Sequence, residues 1–134
     1  MITVLLADDH AMVRDGLRYI LEAAGEMYIV GLASNGEEAV AQASASCPDI
    51  AVIDISMPGM DGIEATRRIM EVCPKTRVLT LSMYHTWGYV QRAVKAGALG
   101  YVLKDAAGNE LVEAVRTLYA GKRYFSPQVA RDDS

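Results

Sequence analysis

Short apolar runs alternate with longer amphipathic segments along the 134 residues of this chain. The run at residues 50–53 is unbroken, rich in β-branched side chains and too short for a helix. Such a run is typical of a strand buried on both faces inside a parallel sheet. Further strands are predicted at residues 2–7, 28–33, 78–81 and 100–103.

The segments between these runs have the periodicity of helices. In the first, Val13, Leu17 and Leu21 recur at helical spacing, and Gly25 is expected to end the helix. Asn35 is the expected N-cap of the second. The five helices are predicted at residues 11–24, 36–46, 63–72, 87–96 and 109–120. The alternation predicts an α/β fold with a doubly wound, five-stranded parallel sheet in the flavodoxin-like order 2-1-3-4-5.

The length of the chain is that of one domain with a sizeable core. A net charge of −4 and an isoelectric point near 5.1 argue against direct binding of nucleic acid by this segment. The N-terminus has the features of neither a signal peptide nor a membrane span, so a cytoplasmic protein is expected. Cys47 and Cys73 match no metal or redox spacing, and we expect free, partly buried thiols in a reducing compartment.

Polar residues follow four of the predicted strands at the point where each strand ends. They are Asp8 and Asp9 after the first strand, Asp54 after the third, Ser82 after the fourth and Lys104 after the fifth. In the predicted order the first and third strands are neighbours, so the three acids are expected to converge at one edge of the sheet. For any of these residues taken alone, ordinary polarity at the rim of a sheet is the alternative.

Three converging carboxylates repel one another unless a cation compensates their charge. Oxygen ligands suit a hard divalent ion, and Mg²⁺ is the first choice because it keeps waters and binds phosphate oxygens. With the hydroxyl of Ser82 and the cation of Lys104, the cluster is suited to hold a phosphoryl group. Asp54 is the predicted acceptor, since carboxylates serve as covalent nucleophiles.

Several stretches resemble the receiver domain of bacterial two-component response regulators, a CheY-like family, and its NarL/FixJ class in particular. These stretches are residues 5–10 with 13–17, residues 54–62 and residues 96–105. The resemblance covers nearly the whole chain. It implies a phosphoacceptor switch that takes part in a phosphorelay, and not an enzyme with turnover.

The resemblance also implies roles for the residues at the strand ends. A sensor histidine kinase would phosphorylate Asp54. Asp9, Asp54 and the backbone carbonyl of Ser56 would bind Mg²⁺ directly, while Asp8 would act through water. Lys104 falls on the position of the family's lysine.

Ser82 and Tyr101 fall on the switch positions of the family. Phosphorylation would draw Ser82 inward and let the ring of Tyr101 turn into the space left beside the fourth strand. The face formed by residues 87–120 would then change shape and offer a dimer or effector surface. Met83 and Tyr84 are expected to shield the phosphoryl group from water.

Two residues depart from the family pattern. Asp105 follows Lys104 where most receivers have a proline in a cis peptide, which leaves the geometry of this bond open. Met83 follows the switch serine where many members carry a small residue. His10 and His85 receive no role in binding or chemistry.

Residues 1–121 are predicted as the receiver domain and residues 122–134 as the start of a linker. The NarL/FixJ resemblance implies a C-terminal helix-turn-helix domain that binds DNA and regulates transcription, and a stand-alone receiver is the alternative. A small Mg²⁺-dependent phosphatase of the haloacid-dehalogenase type is disfavoured, because it needs a second acid two residues after the nucleophile, where Ser56 stands.

Overall fold

A computed structural model describes residues 1–131, which form a parallel sheet between two layers of helices. The strands are β1 (Ile2–Ala7), β2 (Met27–Ala33), β3 (Ile50–Asp54), β4 (Arg77–Ser82), β5 (Gly100–Leu103) and β6 (Tyr124–Phe125). The helices are α1 (Ala11–Ala23), α2 (Gly36–Ser46), α3 (Gly62–Val72), α4 (Trp87–Ala96), α5 (Ala107–Tyr119) and α6 (Pro127–Arg131), with a 3₁₀ turn at Lys104–Ala106.

The sheet has the order β2-β1-β3-β4-β5-β6, and each neighbouring pair is parallel. The predicted order of the first five strands is confirmed, but the prediction of five strands and five helices is wrong in detail. Residues 122–134 were predicted to begin a linker; of these, residues 122–131 contain β6 and α6, and residues 132–134 lie outside the described part of the chain. Tyr124 and Phe125 pair with Gly100 and Tyr101, so the edge of β5 is covered by one more short strand.

The helices cover both faces of the sheet and divide the core into two apolar clusters. On one face Leu17 and Leu21 of α1 pack with Leu111 and Leu118 of α5. On the other face α2, α3 and α4 contribute residues that include Ala43, Ile69 and Val90. Every residue of β3 is buried, as the sequence predicted for a central strand. This strand therefore carries Asp54 out of the middle of the sheet.

The loop after β3 folds back tightly against the strand. The amide of Gly62 donates to the carbonyl of Ile55 at 2.8 Å, and a Cβ at position 62 would collide with the carbonyl of Asp54. Asp61 caps α3 by accepting from the amide of Glu64 at 2.9 Å. The close approach that Gly62 permits holds the loop beside the end of β3.

Cys47 and Cys73 form a disulfide, so the prediction of two free thiols is wrong. Both residues cap the C-termini of neighbouring helices, α2 and α3, and their Cα atoms lie 5.5 Å apart. The bond lies at the amino ends of β3 and β4, opposite the edge where Asp54 emerges. No helix within residues 1–131 is both long and apolar enough to cross a lipid bilayer.

Candidate functional site

Asp8 and Asp9 follow β1 at the carboxyl edge of the sheet. Asp8 is fully buried, and its Oδ1 accepts from the amide of His10 at 2.8 Å. Its backbone carbonyl accepts from Nη1 of Arg14 at 2.7 Å, which ties the first turn of α1 to the strand end. Asp9 is partly exposed at the mouth of the site. The chain thus presents one buried carboxylate and one accessible carboxylate at consecutive positions.

Asp54 ends the central strand with only 1% of its surface exposed. Its Oδ1 accepts from the amide of Ser56 at 3.1 Å, and its Oδ2 accepts from Nζ of Lys104 at 2.8 Å. Lys104 begins the 3₁₀ turn after β5, and the same Nζ lies 3.2 Å from Oδ2 of Asp8. One ammonium group therefore faces two buried carboxylates that come from different strands.

The electrostatics follow from this burial. Loss of solvation raises the pKa of Asp54 and the charge of Asp8 adds to the effect, while Lys104 and the Ser56 amide oppose it without reversing it. Burial acts to lower the pKa of Lys104, but its hydrogen bond and charge interaction with Asp54, aided by Asp8, outweigh burial and raise that pKa. The lysine is thus held as a cation in the pocket.

The acidic cluster fits a divalent cation. Ligand atoms of Asp8, Asp9, His10 and Asp54 lie within 4.8 Å of one another. Oδ2 of Asp8 and Oδ1 of Asp9 are buried and accept no well-oriented hydrogen bond within the described part of the chain, although Nζ of Lys104 lies 3.2 Å from the first of these atoms. Buried carboxylate oxygens that lack hydrogen bonds are costly, and a hard cation satisfies them. Nδ1 of His10, for which no role in binding was predicted, lies 3.4 and 3.3 Å from the carboxylates of Asp8 and Asp9.

Ser82 and Tyr101 both form hydrogen bonds with the backbone of Tyr84, in the loop after β4. Ser82 is buried, and its Oγ accepts from the amide of Tyr84 at 2.9 Å. The hydroxyl of Tyr101, whose residue is also fully buried, donates to the carbonyl of Tyr84 at 2.7 Å. Burial raises the pKa of Tyr101, against the effect of its hydrogen bond with Ser82. The ring of Tyr84 stacks on that of Tyr89 in α4, with centroids 4.1 Å apart.

The predicted site residues therefore fall into two groups. Asp8, Asp9, Asp54 and Lys104 converge, and the amide of Ser56 joins them. The switch positions Ser82 and Tyr101 form the second group. Leu81 of β4 pairs with Asp54 of β3, and Ser82 is the next residue of β4. The ring of Tyr101 is already buried. Met83 and Tyr84, the predicted shield, are exposed at 70% and 41%. The described chain has no cis peptide bond, so Lys104 and Asp105 are joined in trans.

Comparison with known proteins gives one consistent family. The family described as response regulator receiver domain matches residues 4–116. The response regulator GacA of Pseudomonas viridiflava is 39% identical over 131 residues, which are 98% of this chain and 61% of the relative. The response regulator UvrY of Escherichia coli K12 is 40% identical over 98% of this chain and 60% of its own length. The chain thus spans about three fifths of these curated relatives.

A solved structure agrees with these relatives. It is the crystal structure of a two-component response regulator of the LuxR family from Aurantimonas sp. SI85-9A1. The two chains are 36% identical with a TM-score of 0.94, over 98% of this chain and 94% of the other. They share one fold over nearly their whole lengths.

Proposed function

This chain belongs to the response regulator receiver family, in its NarL/FixJ class, and we propose that a sensor histidine kinase phosphorylates it on Asp54. The observation that carries the proposal is the burial of Asp54 beside Asp8, with Lys104 bonded to it at 2.8 Å. The ammonium of Lys104 can neutralise charge on phosphoryl oxygens, and the excess negative charge of the two carboxylates suits a divalent cation that would do the same. Response regulators of this kind act as phosphoacceptor switches.

The residues support an in-line transfer to Asp54. One carboxylate oxygen attacks phosphorus, the new P–O bond forms, and the bond between phosphorus and its donor breaks. Lys104 already lies within bonding distance of Asp54 and can follow the negative charge onto the phosphoryl oxygens. The hydrogen bond from the Ser56 amide fixes the orientation of the carboxylate. Burial raises the pKa of Asp54, and Lys104 opposes that rise and so favours the ionised nucleophile.

The same cluster is the proposed Mg²⁺ site. Asp9, Asp54 and the carbonyl of Ser56 would bind the ion directly and Asp8 through water. The unsatisfied oxygens of Asp8 and Asp9 support this assignment. A bound Mg²⁺ neutralises charge on phosphoryl oxygens during transfer.

The readout is proposed to run through Tyr84. If the Ser82 hydroxyl donates to a phosphoryl oxygen, Oγ moves away from the Tyr84 amide that it now accepts from. The carbonyl of the same residue holds the hydroxyl of Tyr101, and its ring stacks on Tyr89. Any displacement of Tyr84 therefore changes its contacts with both Tyr101 of β5 and Tyr89 of α4. Ligand-driven change requires such differential contacts, and the face formed by residues 87–120 is the proposed dimer or effector surface.

We further propose that the full protein is cytoplasmic and carries a C-terminal helix-turn-helix domain beyond the receiver, through which it binds DNA and regulates transcription. The match covers only 61% of GacA and 60% of UvrY, so both relatives have room for a further domain, which supports this proposal. The negative charge of the present segment agrees with a role that is not itself DNA binding. A receiver that acts alone is the alternative, and the reading frame downstream of residue 134 decides between them.

The phosphoacceptor is tested with acetyl phosphate and Mg²⁺. We expect stoichiometric labelling of the wild type and complete loss of labelling in Asp54→Asn. Asp61→Asn is the matched control, because it changes an exposed acid in the adjacent loop and keeps a side chain that can cap α3. It should label as the wild type does. Undiminished labelling of Asp54→Asn would refute the assignment, and sustained phosphate release would indicate an enzyme instead of a switch.

A further inference from the structure

The disulfide between Cys47 and Cys73 joins an exposed residue to a buried one. Cys47 is exposed at the end of α2, whereas Cys73 at the end of α3 is only 2% exposed. The bond opens onto a groove of about 460 Å³ whose lining includes both cysteines, Pro48, Val72, Pro74 and Lys75. A small molecule in this groove therefore meets the disulfide from the side of the solvent.

The reduced state of the pair is also accommodated. Sγ of Cys73 lies 3.2 Å from the carbonyl oxygen of Ala43, so a buried thiol at this position has an acceptor for its S–H. The same carbonyl accepts the amide of Cys47 at 2.7 Å, which fixes it in place whatever the state of the sulfurs. Opening the disulfide thus leaves no buried polar group without a partner.

The segments that flank the bond are held together by other contacts as well. The hydroxyl of Thr76 donates to the carbonyl of Pro48 at 2.7 Å, and the amide of Arg77 donates to that of Asp49 at 3.0 Å. These bonds connect the start of β3 to the start of β4 without the disulfide. Reduction should therefore loosen the ends of α2 and α3 while the sheet stays paired.

We propose that Cys47 and Cys73 form a reversible redox pair, and that a small thiol of the glutathione class enters the groove to open it. The thiolate attacks Sγ of Cys47, the S–S bond breaks, and Cys73 leaves as a thiolate that takes a proton from water. A second thiol then attacks the mixed disulfide on Cys47. The products are two cysteine thiols and one disulfide of the small thiol, and the reverse reaction with that disulfide closes the pair.

The first test is a redox titration of the whole chain under native conditions. The protein is equilibrated with graded ratios of reduced to oxidised glutathione, alkylated, and analysed by mass spectrometry. We expect the two thiols to appear and disappear together along one reversible curve. Far-ultraviolet circular dichroism should stay that of a folded domain throughout. A bond that resists reduction until the protein unfolds would overturn the proposal, as would thiols that never pair at any ratio.

The second test compares two single variants with oxidised glutathione. Cys73→Ser keeps the exposed cysteine and should form a mixed disulfide at least tenfold faster than Cys47→Ser, which keeps the buried one. Equal rates would show that Cys47 is not the point of attack. Far-ultraviolet circular dichroism checks that each variant is folded, so the test does not depend on labelling of Asp54. The redox pair and the phosphoacceptor can therefore fail independently.

Discussion

The two ends of the same sheet are stabilised in opposite ways. At the carboxyl edge, the buried carboxylates of Asp8 and Asp54 face a single ammonium, and one oxygen each of Asp8 and Asp9 accepts no well-oriented hydrogen bond in the described chain. At the amino edge, Asp49 accepts two bonds from Thr3, at 2.9 and 3.0 Å. The disulfide between Cys47 and Cys73 adds a covalent link there.

The difference indicates that the carboxyl edge is the less stable of the two. Buried charges of like sign cost free energy unless they are fully compensated, and the raised pKa of Asp54 shows that Lys104 compensates only in part. Such incomplete compensation is expected of a site that, as we propose, takes a cation and a phosphoryl group. The opposite edge has no such requirement, and there Asp49 and the two sulfurs are paired within the described chain.

Removing the covalent link should have the largest effect on stability. A disulfide that closes a separation of 26 residues restricts the unfolded chain and contributes about 3.5 kcal/mol to the free energy of unfolding. The double variant Cys47→Ser with Cys73→Ser should lose this amount in urea denaturation. Wild-type protein denatured in excess reductant is the control and should match the variant. A double variant as stable as the oxidised wild type would mean that the link does not restrain the unfolded chain.

Neutralising Asp54, the proposed phosphoacceptor, should act in the opposite direction and less strongly. Because the pKa of Asp54 is raised on folding, the native state binds its proton more tightly than the unfolded state. This stabilisation is present at low pH and is lost as pH rises from the unfolded pKa through the higher folded one. Asp54→Asn removes the charge, so it should be more stable than the wild type by roughly 1 kcal/mol at neutral pH.

The measurement is urea denaturation at a series of pH values in the presence of EDTA, which excludes divalent cations. The advantage of Asp54→Asn should grow as pH rises from about 4 and then level off. Asp61→Asn changes an exposed acid and should show no such growth. A constant difference at every pH would show that burial does not perturb Asp54.

The same contrast explains what the sequence could predict. The site at the carboxyl edge could be predicted because position along the chain is enough: four of the five predicted strands end at a polar residue, and parallel strands bring those ends together. The convergence of Asp8, Asp9, Asp54 and Lys104 follows from that rule. The proximity of His10 depends on how the chain turns into α1, which no periodicity reveals.

The features of the amino edge were harder to predict from the sequence, because they depend on how the helices pack. Cys47 and Cys73 become neighbours only when α2 and α3 lie side by side and end at the same level. Strand β6 has only two residues, too few for an alternating pattern, and it exists because Tyr124 and Phe125 reach the free edge of β5. Local sequence carries no signal for either contact.

The smallest expected effect concerns the link from the carboxyl edge to α4. Tyr101→Phe removes the bond to the Tyr84 carbonyl and should cost about 1 kcal/mol or less of stability. Tyr124→Phe is a matched control: its hydroxyl bonds to Glu110 at 3.1 Å, and burial together with that carboxylate raises the pKa of Tyr124 to about 12. This second bond lies on α5 and does not touch Tyr84.

The two variants should separate in the response of Trp87, the single tryptophan, which is half-buried at the start of α4. Beryllofluoride with Mg²⁺ mimics the phosphoryl group and should change the fluorescence of the wild type. The change should vanish in Asp54→Ala, because the mimic has no acceptor there, and shrink in Ser82→Ala.

The hydroxyl of Tyr101 links Tyr84 to β5 through a hydrogen bond. Tyr101→Phe should therefore also reduce the fluorescence change of Trp87, whereas Tyr124→Phe should leave that change at the wild-type level. Equal responses in these two tyrosine variants would mean that the signal reaches α4 without the Tyr101 hydroxyl. The stack of Tyr84 on Tyr89 is then a second contact through which the signal can reach α4.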